Sequence, residues 1–134
     1  MKVFKFGGAS VKDAQGVKNL SVILNKYKND YPLVVVSAMG KMTNALEEVA
    51  RSFYLKKSDV FDRLKYVKDF HASILVDLFD ENHSVFDAVE NLFVEIEWAL
   101  EGEPRPSYSY EYDQIVSIGE LVSTTIISNY LLQV

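Results

Sequence analysis

Leu33-Val34-Val35-Val36 is an unbroken apolar, mostly β-branched run held between Pro32 and a Ser37-Ala38-Met39-Gly40 turn. Four such residues in a row, too few for a helix, mark a strand buried on both faces, as in parallel sheets. A parallel strand needs a partner reached by a crossover. Val3 to Phe6 supplies one: a short β-branched and aromatic segment closed by Gly7-Gly8. Between the two lies a stripe at helical steps, Val11, Ala14, Val17, Leu20, Leu24 and Tyr27. Ser10 stands where an N-cap belongs, with Asp13 in the first turn. The first forty residues therefore read as strand, glycine turn, helix, strand, with parallel strands and a right-handed crossover.

After Gly40 the pattern is helical throughout. Thr43 or Asn44 can start a helix burying Leu46, Val49, Ala50 and Phe53. Ser58 or Asp59 can cap another, with Phe61, Leu64, Val67, Ile74, Leu75 and Leu78 inward and His71 on its surface. Phe86, Val89, Phe93, Ile96 and Leu100 make a third stripe, and Trp98 is expected in the core. Gly102 to Pro106 is the clearest loop. A last helix is expected from about Tyr112 to Leu132, with Tyr108 and Tyr110 in a packed loop or extended segment before it. Two strands and four later helices do not make a finished parallel sheet, so further strands are expected beyond this sequence.

Composition excludes several classes. The 134 residues are 49% hydrophobic, enough for a core, with 14 basic and 19 acidic side chains and a net charge of −5. A mildly acidic chain without a basic run fits neither nucleic acid nor an anionic membrane. There is no cysteine, so disulfides and thiolate chemistry are excluded within this sequence. No signal-like start and no run of roughly 18 continuous apolar residues is present, and the expectation is a cytoplasmic protein.

Three segments could carry chemistry. In Lys5-Phe6-Gly7-Gly8-Ala9-Ser10, a strand delivers a lysine to the carboxyl edge of the sheet. Two glycines let backbone N–H groups approach an anion, and a helix N-terminus follows. A tight turn with an ordinary capping serine accounts for the same residues equally well. In Ser37 to Asn44, the hydroxyls of Ser37 and Thr43 lie at the same sheet edge, although a turn and a cap explain each alone. In Ser117-Ile118-Gly119-Glu120, glycine interrupts a helix and a carboxylate falls beside the apolar stripe. A buried acid there needs a cationic partner, while a salt-bridged residue on the rim accounts for the pattern almost as well.

Together the three segments resemble aspartokinases of the amino-acid kinase family. The K-F-G-G-[TS]-S opening matches Lys5 to Ser10, the V-V-S-A-M-G-x-x-T-N stretch matches Val35 to Asn44, and S-x-G-E matches Ser117 to Glu120. Ala9 departs from the usual hydroxyl residue. The resemblance covers essentially the whole sequence. It implies the N-terminal, substrate- and phosphate-binding part of a three-layer αβα kinase domain of the carbamate-kinase type, with a helix-rich insertion after the second strand. The nucleotide-base subdomain and the regulatory ACT domains have no counterpart in residues 1–134.

The implied reaction is ATP-dependent phosphorylation of the L-aspartate β-carboxylate, with Mg2+ carried by the nucleotide. By position, Lys5 would neutralise the transferring phosphoryl group and Gly7 and Gly8 would offer backbone contacts. Ser10 and Ser37 would lie near the phosphates or substrate carboxylate, Thr43 would hold aspartate, and Glu120 would pair with its α-ammonium. A homo-oligomer is expected, as is an absence of turnover by these 134 residues alone. The competing readings are a kinase of another carboxylate and a non-catalytic helical interaction module.

Overall fold

A computed structural model describes all residues 1–134. Strand β1 (Val3–Phe6) leads through the glycine turn to helix α1 (Ala14–Asn25). A 3-10 turn (Lys28–Asp30) precedes strand β2 (Leu33–Val36). Four helices follow: α2 (Met42–Tyr54), α3 (Val60–Leu78), α4 (Val85–Ala99) and α5 (Tyr108–Gln133). The strands pair in parallel, with Lys5 opposite Val35 and Phe6 opposite Val36.

Within residues 1–134 only one face of the sheet is covered. Phe4, Phe6, Val34 and Val36 turn toward the core, whereas Val3, Leu33 and Val35 are 61%, 53% and 42% exposed. Alternation along a strand sends successive side chains to opposite faces, and the helices cover only one of them.

Helix starts also differ from expectation. Asp13, not Ser10, caps α1: its Oδ1 accepts the Gly16 N–H at 2.8 Å. The start falls late because Ser10 and Val11 spend their N–H groups in turns on Gly7 and Gly8. Thr43 and Asn44 lie inside the first turn of α2, and Lys41 before it makes no side-chain cap. Asp59 precedes α3 without capping it; its Oδ2 accepts instead from Arg63 Nε at 2.8 Å. Ser107 caps α5 by accepting the Tyr110 N–H at 3.3 Å. That draws Tyr108 and Tyr110 into the helix, where Tyr108 meets Tyr54 edge-on.

The core lies among α2, α3, α4 and α5: α5 packs along α2 and α4, and α3 lies against α2. Arg63 pairs with Glu48 across α2 and α3, and Lys68 reaches Glu97 and Glu90 across α3 and α4. By length and composition α5 could cross a membrane. Its apolar side is instead taken up by packing, from Ile115 to Ile127.

Three burial assignments are corrected by helical phase. Phe61 is exposed because Val60, in step with Leu64 and Val67, takes the inward place. Trp98 is 65% exposed, since it lies roughly 200° round the helix from buried Ile96. His71, expected outside, is fully buried one turn after Val67. Its Nδ1 bonds to the Val67 carbonyl at 2.8 Å, its ring meets Phe70 and Phe93, and Nε2 has no partner. Burial holds its pKa below the ordinary 6.5, against a smaller upward pull from the Val67 carbonyl.

Candidate functional site

The two turns that follow the strands are stitched together at the carboxyl edge of the sheet. Ser37 N–H donates to the Phe6 carbonyl at 3.0 Å, extending the ladder by one step. Gly40 N–H then donates to the Gly8 carbonyl, also at 3.0 Å. The approach is so close that a Cβ on Gly8 would stand 2.5 Å from the Gly40 oxygen and 3.1 Å from that of Ala38. Gly40 has φ +54°, with Lys12 and Phe70 beside it. Glycine is therefore needed at position 8 for space and favoured at position 40 for conformation.

The stitch leaves donors free at its mouth. The N–H groups of Gly7, Gly8 and Ala9 donate to no group of the chain, nor do those of Lys41, Thr43 and Asn44 at the start of α2. Backbone N–H groups at an uncapped helix start carry partial positive charge. Lys5, exposed on β1 one residue before Phe6, adds a full charge and takes part in no ion pair. Such a corner suits a phosphate or carboxylate. Ser10 is exposed in the first turn, Ser37 half-buried in the second, and Thr43 exposed on the first turn of α2.

Helix α5 reaches the same corner through Gly119. A Cβ there would meet Leu46 Cδ1 at 2.9 Å and Ala38 Cβ at 3.3 Å. Four residues on, the Ser123 hydroxyl donates to the Ser37 carbonyl at 2.7 Å. Glu120 stands beside this seam but is exposed and unpaired, which corrects the expectation of an acid against the buried stripe. The Ser117 hydroxyl turns back to the Asp113 carbonyl of its own helix. The structure thus gathers the turn after β1, the turn after β2 and the middle of α5 at one end of the sheet.

The buried acid of α5 is Glu111, which sequence reasoning missed. Fully buried, it accepts the Arg105 N–H on Oε1 at 2.8 Å, while Oε2 has no partner. Its position continues the stripe of Ile115, Ile118, Val122 and Ile126 backward by one turn, and that phase was the available signal. Next to it, Tyr112 donates to Glu47 of α2 at 2.9 Å. Hydrogen bonding to that carboxylate, with burial behind it, pushes the phenol above its ordinary 10.0.

A glycine-stitched βα corner rich in free donors, joined by an acid-bearing helix, defines an anion-binding corner of an α/β protein. The sequence profile of the amino acid kinase family matches residues 1–134, and the chain belongs to that family. Within it the similarity is to aspartokinases. The chain is 31% identical over 134 residues to aspartokinase 1, chloroplastic, of Arabidopsis thaliana, covering 96% of this chain and 23% of that protein. It is 29% identical over 133 residues to the aspartokinase of Chlamydia trachomatis, covering 96% of this chain and 27% of that one. The fold superposes on E. coli aspartokinase III in complex with aspartate and ADP with a TM-score of 0.82 at 28% identity, over 99% of this chain and 29% of that chain. The chain therefore spans between 23% and 29% of the length of these relatives.

Proposed function

We propose that the chain is the acceptor- and phosphate-binding part of an aspartate kinase. The parent would transfer the γ-phosphoryl group of ATP to the β-carboxylate of L-aspartate. The product, 4-phospho-L-aspartate, opens the route to lysine, threonine and methionine. The observation that carries this reading is the Gly8–Gly40 stitch, with free N–H groups on both turns and α5 seated against Ala38. The likeness to an aspartokinase solved in complex with aspartate and ADP supports an amino acid and a nucleotide as the ligands in this reading.

In this reading the chain's residues work by position and charge, which is what phosphoryl transfer to an oxyanion needs. Lys5 neutralises the transferring group, and the Gly7 and Gly8 amides hold its oxygens, with Ser10 alongside. Ser37 and Thr43 hold the acceptor, and Glu120, unpaired within the chain, takes the α-ammonium. Mg2+ arrives on the nucleotide phosphates. The base pocket and the regulatory domains belong to the remainder of the parent, so residues 1–134 alone release no ADP.

The test is coupled ATP turnover by the full-length parent with L-aspartate, comparing wild type with Lys5→Ala and Glu120→Ala. Aspartate-dependent ADP release that falls by at least a hundredfold with Lys5→Ala supports the reading. Glu120→Ala is expected to act mainly on KM for aspartate. Turnover with a different carboxylic acid, indifferent to aspartate, would keep the fold and discard the substrate.

A further inference from the structure

We propose that Ser123 is a positioning residue of the acceptor site: its hydroxyl fixes α5 to the Ser37 carbonyl, and thereby sets where Glu120 stands relative to Ser37 and Thr43. The proposal rests on the kinase reading above and assigns it a residue outside the three motifs. A serine inside a helix ordinarily faces water or bonds back to its own helix, as Ser117 does with Asp113. Ser123 does neither. It is fully buried, and its hydroxyl donates at 2.7 Å to a carbonyl 86 residues away. No other group of the chain donates to that carbonyl.

The site of this bond matters. Ser37 is the first residue past β2, tied on its N–H side to Phe6. Three residues on, Gly40 makes the stitch to Gly8. The Ser37 carbonyl is thus the point where the turn after β2 meets α5. One helical turn before Ser123, Gly119 brings the helix as close to Ala38 and Leu46 as backbone allows. Residues four apart share a helix face. Gly119 and Ser123 therefore make a two-point seat, one a side-chain-free contact and the other a directed bond. The first sets depth and the second sets rotation and axial register. Glu120 follows Gly119 by about 100° of helix, so its direction is fixed by that register. An apolar residue in place of Ser123 would fill the space but leave the Ser37 carbonyl without a donor.

The experiment uses the full-length parent with Ser123→Ala. Loss of one buried hydrogen bond that acts on acceptor placement is expected to raise KM for aspartate roughly five- to tenfold. KM for ATP and kcat are expected to stay within about twofold of wild type, and amides of residues 37–43 to exchange with deuterium faster while those of α3 and α4 do not. If Ser123→Ala does not fold, Ser123→Cys, close in volume but a weak donor, takes its place. An unchanged KM for aspartate overturns the proposal, even where exchange quickens or the melting temperature falls, since Ser123 would then be an anchor of the fold only. If wild type shows no aspartate turnover, the kinase reading fails separately. The exchange measurement then decides whether Ser123 holds the turn, and unchanged exchange at 37–43 overturns that as well.

Discussion

Gly8 and Gly7 differ by one position and by nearly everything physical. A methyl group on Gly8 would press on two carbonyl oxygens of the neighbouring turn, whereas one on Gly7 meets nothing within 4 Å. Gly8→Ala must push the turns apart or break the Gly40–Gly8 bond, at a cost of about 1–3 kcal/mol. Gly7→Ala is expected within about 0.5 kcal/mol of wild type. Urea denaturation of the two variants checks this; equal midpoints would mean that the turns are not held together as described. His71 gives a second prediction at this scale. Its folded pKa lies below its unfolded one, so the unfolded chain binds the extra proton first as pH falls. Its contribution is intact above about pH 6.5 and declines as pH drops toward the folded value. Melting temperature followed from pH 7.5 to 5.5 is expected to fall more steeply for wild type than for His71→Met, and parallel curves would remove His71 as the cause. The glycines were legible in the sequence because two in a row after a strand can only be a turn. That Gly8 faces Gly40 was not, because a close approach between residues so far apart leaves no local pattern. His71 was legible in principle, since it keeps step with Val67 and Ile74, but a polar identity outweighed its phase.

Helix α5 shows the same contest between identity and phase along a whole element. Its apolar stripe was readable, and so was the oddity of Gly119. Its start was not, because three tyrosines in alternation mimic an extended segment until Ser107 is seen to cap Tyr110. Glu111 then closes the preceding loop by taking the Arg105 N–H into a buried carboxylate, and Tyr54 donates to Pro106 from α2. Glu111→Ala strips the loop of this clasp and leaves a part-buried donor unpaired, which costs about 1–3 kcal/mol. Limited proteolysis is expected to cut the variant within residues 101–107 at protease levels that leave wild type whole. A variant that resists cleavage as wild type does would show that Tyr54 and the helix cap hold the loop without Glu111. Asp13 is the matching device on α1. In sequence the cap is expected at Ser10, but residues 7–11 form turns of their own and the helix is capped at Asp13.

For the molecule as a whole, the sheet decides behaviour in solution. The core needs only one face of β1 and β2, which leaves Val3, Leu33 and Val35 open to water. Each strand also has one free edge, since the sheet has only two members. Unpaired edges with exposed β-branched residues recruit further strands. The sequence announced this surface in an indirect way: Leu33 to Val36 is apolar at every position, a pattern suited to a strand covered on both sides. The 134-residue chain purified alone is therefore expected to self-associate at micromolar concentration through the open side of the sheet. Light scattering during size-exclusion chromatography measures it. Leu33→Lys and Val35→Lys place charge on that side without touching Val34 or Val36, which face the helices, and are expected to return the chain to a monomer. Association that persists in both variants would move the contact to the helical layer, where Trp98 and Phe61 are the exposed aromatic residues at issue.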